Sequence, residues 1–261
     1  KRPQIKNASG LYSDKNGKLD LIDLVIGSEG ILGMITSCAL GLDSNPKDYL
    51  ELFISLESES KALDLHDFLY KFFNYDLGQI NALEYFGYNC QNYMKHKEFF
   101  FTNNDVGVYI KIPIYNKSLD TKIEEWIGII ESFDAKFNLD HIIVLNNPMT
   151  SKKFFEARHS IPDNALTKTK KLGGVSIITD TIVPHHNYKI YLEKVHHKLR
   201  ELKIEYLLFG HLGDCHLHFH LIPSIEQEKY CLDVYDYLID LSADLGGVYS
   251  GEHGTGKRKR N

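Results

Sequence analysis

Four of the chain's 13 histidines fall between positions 211 and 220. They lie in Phe209-Gly210-His211-Leu212-Gly213-Asp214-Cys215-His216-Leu217-His218-Phe219-His220-Leu221. From 216 to 221, histidine alternates with an apolar residue. Successive side chains of a strand point to opposite faces. Leu217, Phe219 and Leu221 are therefore expected on a core face, with His216, His218 and His220 on the other. His211 sits across a glycine turn and can reach back toward them. A row of imidazoles on one face can hold a divalent metal. Zinc takes nitrogen and carboxylate ligands and can keep a position open for substrate. The plainer alternative is a polar, solvated face whose histidines are incidental.

A second cluster is Ser250-Gly251-Glu252-His253-Gly254-Thr255-Gly256. Its glycines permit a tight loop and close backbone approach to a ligand. Glu252 can complete a His-His-carboxylate set, and His253 could be a general base, since histidine is the side chain that exchanges protons near physiological pH. A glycine loop with a surface acid–histidine pair is the alternative. The third candidate is Arg158, in Phe154-Phe155-Glu156-Ala157-Arg158-His159-Ser160-Ile161-Pro162. A guanidinium can hold a carboxylate bidentately. Its alternative is a salt bridge on a helix surface.

Elements that could position these residues alternate along the chain. Strands are expected at 50–56, 106–115, 142–145, 175–182, 204–209 and 215–222. Helices are expected at 61–75, 120–135, 151–167 with a break at Pro162, 187–202, and 225–245, where Gly246-Gly247 stops the last. A boundary is expected near Gly41-Leu42-Asp43-Ser44-Asn45-Pro46. The short link from Phe209 to Cys215 suits a hairpin, because parallel strands need a longer crossover. The expected fold is therefore α+β, a ferredoxin-like antiparallel sheet with helices on one face, in preference to a doubly wound parallel sheet.

With 261 residues, 43% hydrophobic and 25% charged, the composition is that of an ordinary globular protein able to bury a core. The net charge of -5 argues against a nucleic-acid partner. No apolar run approaches the ~20 residues of a membrane helix, and the first residues do not read as a signal peptide. None of the four cysteines forms a C-x-x-C pair, which fits a reducing compartment. A cytoplasmic chain, or one peripheral to a membrane, is the expected localisation.

Three motifs in order resemble the FAD-linked oxidase family that includes D-lactate dehydrogenase, D-2-hydroxyglutarate dehydrogenase and the glycolate oxidase D subunit. Asp23-Leu24-Val25-Ile26-Gly27-Ser28-Glu29-Gly30-Ile31-Leu32-Gly33-Met34-Ile35-Thr36 resembles the stretch that closes the family's flavin-binding domain. The segment from Gly210 to His218 resembles its metal strand, and Ser250 to Gly256 its catalytic loop. Arg158 and Asp180-Thr181-Ile182-Val183-Pro184 fall between them in the expected order. The resemblance implies residues 1–45 as the end of a flavin-binding domain and 46–261 as the substrate (cap) domain. It also implies a fragment: no glycine-serine pyrophosphate loop precedes these motifs, and the basic end Arg258-Lys259-Arg260-Asn261 reads as a truncation point.

Carried over, the resemblance makes His211, His218 and Glu252 ligands of a divalent metal, zinc or manganese. His253 would take the substrate hydroxyl proton or contact that hydroxyl, and Arg158 would bind the substrate carboxylate. His220 stands where the family often has a substrate-contacting asparagine. FAD would be lined by Asn7, Gly10, Gly27, Ser28, Gly30, Leu32, Gly33 and Ile35. The implied substrate is a D-2-hydroxy acid such as D-lactate, with a quinone, cytochrome or electron-transfer protein as acceptor. Cys215 and His216 replace a common glycine and asparagine. Ile178 and Pro162 replace a lysine and a threonine of the hydroxyglutarate enzymes, which argues against 2-hydroxyglutarate. The chain without its flavin portion is expected to be inactive, and an exposed sheet face would permit a homodimer. Two rivals are a metal-dependent hydrolase and a flavin-free subunit that binds metal or substrate.

Overall fold

A computed structural model describes residues 5–10, 16–101 and 106–254. Among the described residues, the N-terminal part holds one short helix, α1 (Leu21–Val25), capped by the Asp20 carboxylate, and otherwise irregular chain up to residue 47. The remainder runs β1 (Asp48–Leu56), α2 (Glu59–Phe72), β2 (Ala82–Phe86), α3 (Lys97–Phe100), β3 (Val106–Ile114), α4 (Leu119–Phe133), β4 (Ile142–Val144), α5 (Pro148–Lys171), β5 (Ile177–Ile178), α6 (Tyr188–Glu201), β6 (Tyr206–His211), β7 (His216–Leu221) and α7 (Glu228–Asp244). Thr255 to Asn261, with the end of the glycine loop and the basic end, lie outside the described residues.

The strands form one sheet in the order β4-β1-β3-β2-β6-β7-β5, with every neighbouring pair antiparallel. This is the expected α+β, ferredoxin-like arrangement. Alternation along β1 builds two cores. Leu50, Leu52, Ile54 and Leu56 face a cluster shared with α2, α4, α6 and α7. Phe53 faces the opposite side, where Phe154, Ala157, Ile161 and Ala165 of α5 pack with Phe86, Tyr109 and Leu207. Helices were expected on one face only; α5 covers part of the other.

Ser58 and Ser118 cap α2 and α4 by accepting the N–H groups of Lys61 and Thr121, each at 3.2 Å. Asn147 caps α5, whose first residue is Pro148. A break at Pro162 was expected, yet α5 continues through it. Proline removes one N–H from the ladder. In that turn the Ser160 hydroxyl gives its proton to the Ala157 carbonyl at 2.6 Å, and apolar packing of Phe154, Ile161 and Ala165 holds the axis. Strand β2 was not foreseen. It is short and central, with Leu83 in one core and Phe86 in the other.

The strand expected over 175–182 is reduced to Ile177–Ile178. Beyond it, Thr179 still donates its N–H to the Phe219 carbonyl at 3.0 Å. Its hydroxyl, rather than its carbonyl, receives the Phe219 N–H at 2.9 Å. The Thr179 carbonyl is thereby left free for a side chain of β7.

Candidate active site

That side chain is His218. Its Nδ1 lies 2.7 Å from the Thr179 carbonyl oxygen. A carbonyl only accepts, so Nδ1 carries the proton and Nε2 presents a lone pair. Burial, aided by repulsion from His216, pushes its pKa down to about 4, and the ring is neutral at physiological pH. A metal-binding imidazole needs this state: neutral, with the second nitrogen fixed by a hydrogen bond.

His211 at the end of β6 stands directly opposite His216 at the start of β7, and Phe209 opposite His218. The antiparallel register therefore puts His211, His216 and His218 on one side of the hairpin. Gly210 makes the close approach possible: it sits at φ +139, and a Cβ there would come within 2.9 Å of the His216 carbonyl oxygen and 3.1 Å of the His218 ring. Glu252 arrives from the glycine loop, with Oε1 3.4 Å from His211 Nε2. Donor atoms of His211, His218 and Glu252 all lie within 4.8 Å of one another. Burial alone would raise the Glu252 pKa, but a hydrogen bond and ion pair with Lys6, with help from His211 and His216, carries it below the ordinary value. Lys6 also contacts Asp214 at 3.0 Å. Two carboxylates hold its ammonium charged against the cost of burial, and its pKa is raised.

The histidine face is not solvated, as the plainer reading of the sequence would have it. His216, His218 and His220 are all buried, because residues 176–180 and the glycine loop cover them. Asp180, fully buried, fastens the two coverings together. Its carboxylate accepts from the Glu252 N–H at 3.2 Å, the His253 N–H at 2.9 Å and the Ser250 hydroxyl. Its backbone carbonyl takes the Gly251 N–H at 2.8 Å. His216 Nε2 lies 3.0 Å from Asp180 Oδ1. A Cβ on Gly251 would stand 2.7 Å from that same nitrogen, so the loop can close only over glycine. Asp180 was noticed in the sequence only as part of a resembling segment. Thr179 and Glu84 carried no signal of their own.

His253 is 50% exposed at its side chain, with Nδ1 3.8 Å from Asp180 Oδ1. Its ring stacks on His218, with centroids 5.1 Å apart and planes 9° from parallel. His220 is set apart from this group. Burial lowers its pKa to about 4, and its Nε2 meets the Ser176 hydroxyl. Arg158 reaches the same sheet face from α5, but its Nε and Nη2 are given to the Glu84 carboxylate at 2.7 and 2.8 Å. Glu84 pairs across the sheet with His211.

A cleft of about 850 Å³ opens beside the group, with Lys6, Tyr70, His185 and Asp214 in its walls. The N-terminal residues are bound to the loop: the Ala8 N–H reaches the Ser250 carbonyl at 2.9 Å, and the Tyr249 hydroxyl gives its proton to the Ser9 carbonyl.

The family model for "FAD linked oxidases, C-terminal domain" matches residues 108–261. The chain belongs to this family. A D-lactate dehydrogenase of Anaerostipes hadrus is 23% identical over 98% of this chain and 54% of its own length. The mitochondrial D-2-hydroxyglutarate dehydrogenase of Danio rerio is 24% identical over 96% of this chain and 46% of its own. The chain thus spans about half the length of these curated relatives. Alkyldihydroxyacetonephosphate synthase shares the fold at TM-score 0.56 and 12% identity, over 87% of this chain and 45% of its own. Substrate-bound p-cresol methylhydroxylase does so at TM-score 0.55 and 10% identity, over 78% and 45%.

The family implies FAD. The described residues fit one edge of such a group. Asn7 is buried with its Nδ2 unpaired, and Gly27, at φ +73, lies so close to Ala8 and Gly10 that a Cβ would overlap them. Gly10, Gly30 and Gly33 also have positive φ. Ser28 lies in a turn, its N–H on the Val25 carbonyl, and Leu32 and Ile35 are exposed. Among the described residues no glycine-rich turn opens a helix in the manner of a pyrophosphate loop, so the whole cofactor is not accommodated by them. The donor set of His211, His218 and Glu252, by contrast, fits a divalent ion of the zinc type.

Proposed function

We propose that this chain is the substrate- and metal-binding part of an FAD-dependent dehydrogenase of D-2-hydroxy acids such as D-lactate. One observation carries the reading: two imidazoles and a carboxylate converge within 4.8 Å, and the buried imidazole has its free nitrogen fixed by the Thr179 carbonyl. His211, His218 and Glu252 would hold a divalent ion, zinc or manganese, which polarises the substrate hydroxyl as a Lewis acid. FAD, when bound, supplies the acceptor for the hydride leaving C2. His253 takes the hydroxyl proton. The Asp180 carboxylate, by accepting the His253 backbone N–H at 2.9 Å, fixes where that ring can go.

Arg158 is the candidate that the geometry supports least. A substrate carboxylate would have to displace Glu84 or be content with Nη1. Lys6, already beside Glu252 and at the wall of the cleft, is the nearer cation. An ion bound by Glu252 would release Lys6 toward Asp214 and the cleft, where it could meet the carboxylate of the substrate.

The test is metal binding by the metal-stripped chain. Zinc should bind at a site whose affinity falls at least about 100-fold in His218→Ala. Cobalt in that site should change its visible spectrum on adding D-lactate, and less with L-lactate. Unchanged zinc affinity in His218→Ala would refute the metal assignment. A metal that binds but ignores both lactates would refute the substrate class.

A further inference from the structure

A second group of the same chemistry lies at the β6–β7 turn, outside the proposed site. His66 and Asp67 come from α2, and His185 from the short turn before α6. One nitrogen or oxygen of each lies within 4.8 Å of the others. His66 belongs to the apolar face of α2 with Ala62, Leu65 and Leu69, and is 1% exposed. Its Nε2 is buried without a hydrogen-bond partner. His185 Nε2 is also buried, 2.9 Å from Asp67 Oδ1 but without the alignment of a hydrogen bond. The two imidazole rings meet edge to face with centroids 5.0 Å apart, and Tyr70 packs on His185 at 4.3 Å.

We propose that His66, Asp67 and His185 form a second divalent-metal site, of the zinc type, open to the cleft through His185. Two imidazoles and one carboxylate suit zinc, copper or nickel better than the oxygen-seeking calcium or magnesium. Ligand atoms around tetrahedral zinc lie about 3.3 Å apart, given Zn–N bonds of about 2.0 Å. A spread of at most 4.8 Å closes to this by small side-chain rotations.

The surroundings agree. Burial first, then repulsion from His185, lowers the His66 pKa to about 4, so its ring is a neutral donor at physiological pH. Burial raises the Asp67 pKa, but Lys189, bonded to Oδ2 at 2.8 Å, outweighs it and keeps the carboxylate ionised. Lys189 is shared with Asp64 at 3.0 Å, so it need not stay on Asp67 when a cation arrives. The Gly213 carbonyl and the Asp214 carboxylate also face the His66 ring. Gly213 and Asp214 belong to the turn between His211 and His216. The two groups thus share one hairpin turn as a neighbour, and Lys6, His185, Gly213 and Asp214 all line the same cleft.

An unpartnered buried nitrogen is costly in a core helix. A bound ion accounts for it, and for the misaligned His185–Asp67 contact as a pair of ligands rather than a hydrogen bond.

Equilibrium dialysis of the metal-stripped chain against zinc, with elemental analysis, tests this. Wild type should bind two zinc ions per chain. His185→Gln and Asp67→Asn should each bind one, and that remaining ion should be lost on adding His218→Ala. His66→Gln should behave alike, with circular dichroism checking that it folds; His185→Gln stands in if it does not. If His185→Gln and Asp67→Asn bind as many zinc ions as wild type, with unchanged affinity, the second site does not exist. Because His218→Ala removes only the other ion, failure of one site is read separately from failure of the other.

Discussion

The loop at 250–254 and the segment at 27–35 are both glycine-rich, yet the first is pinned and the second is bare. Backbone or hydroxyl donors of Ser250, Gly251, Glu252 and His253 all end on Asp180. In the other segment, Gly27 packs on Ala8 and Gly10, and Ile31 closes a turn on the Ser28 carbonyl at 3.0 Å. After that the apolar side chains stand in solvent: Met34 is 87% exposed and Ile35 67%. The difference follows from the kind of force each region relies on. One buried carboxylate can satisfy several directional donors within a single chain. Apolar side chains need area to cover them, and the described residues offer none at this place.

Breaking the pinned region should have the largest effect. Asp180→Ala leaves His216 Nε2 and the N–H groups of Glu252 and His253 without their acceptor. A loss of about 3–5 kcal/mol is expected in urea unfolding. Zinc affinity should fall about 10–100-fold, because the loop that carries Glu252 is no longer held. A stability change as small as that of a surface substitution would show that the loop is not fastened in this way.

An effect of pH should come next. His66, His218 and His220 have pKa values of about 4 in the folded chain, below the ordinary value of 6.5. Between these values the unfolded chain binds more protons than the folded one, so stability falls as pH drops. The loss begins near pH 6.5 and is complete near pH 4. Each ring contributes about 2–3 kcal/mol over that span. Urea unfolding of the metal-free chain at pH 7 and pH 4.5 measures it. His220→Asn should lose less on acidification than wild type, and equal losses would exonerate this residue.

The smallest effect is expected from the bare segment. Met34→Ser and Ile35→Ser should change unfolding stability by no more than about 0.5 kcal/mol, while binding of a hydrophobic dye falls. A large destabilisation would mean that these side chains are covered after all, and the comparison would collapse.

Alternation of histidine and apolar residues made β7 legible, and the glycine turn made its pairing with β6 legible. The long helices and β1 and β3 followed from periodicity and capping residues. β2 was missed because five residues in the middle of a sheet carry little pattern, and part of what places them is their neighbours. The break at Pro162 was wrongly expected because a single residue was weighed without the packing of Phe154 and Ile161. At the site, His211, His218 and Glu252 were legible as a resemblance, and the fold gathers them. The role of Thr179 was not, since it acts through a backbone carbonyl, nor was the pairing of Lys6 with Glu252, 246 positions away in sequence.

What the sequence determined by itself is which side chains share a face, because strand and helix periods are local geometry. Residue types alone also fixed the available chemistry: imidazole, carboxylate, guanidinium. Only the tertiary structure decided which of those groups are free to use it. It spent Arg158 on Glu84, buried His220 against Ser176, turned the Thr179 carbonyl to His218, and left His66 with a nitrogen unpaired. Hydrogen bonds and burial join residues distant in sequence, and no local pattern encodes which partner each one will find.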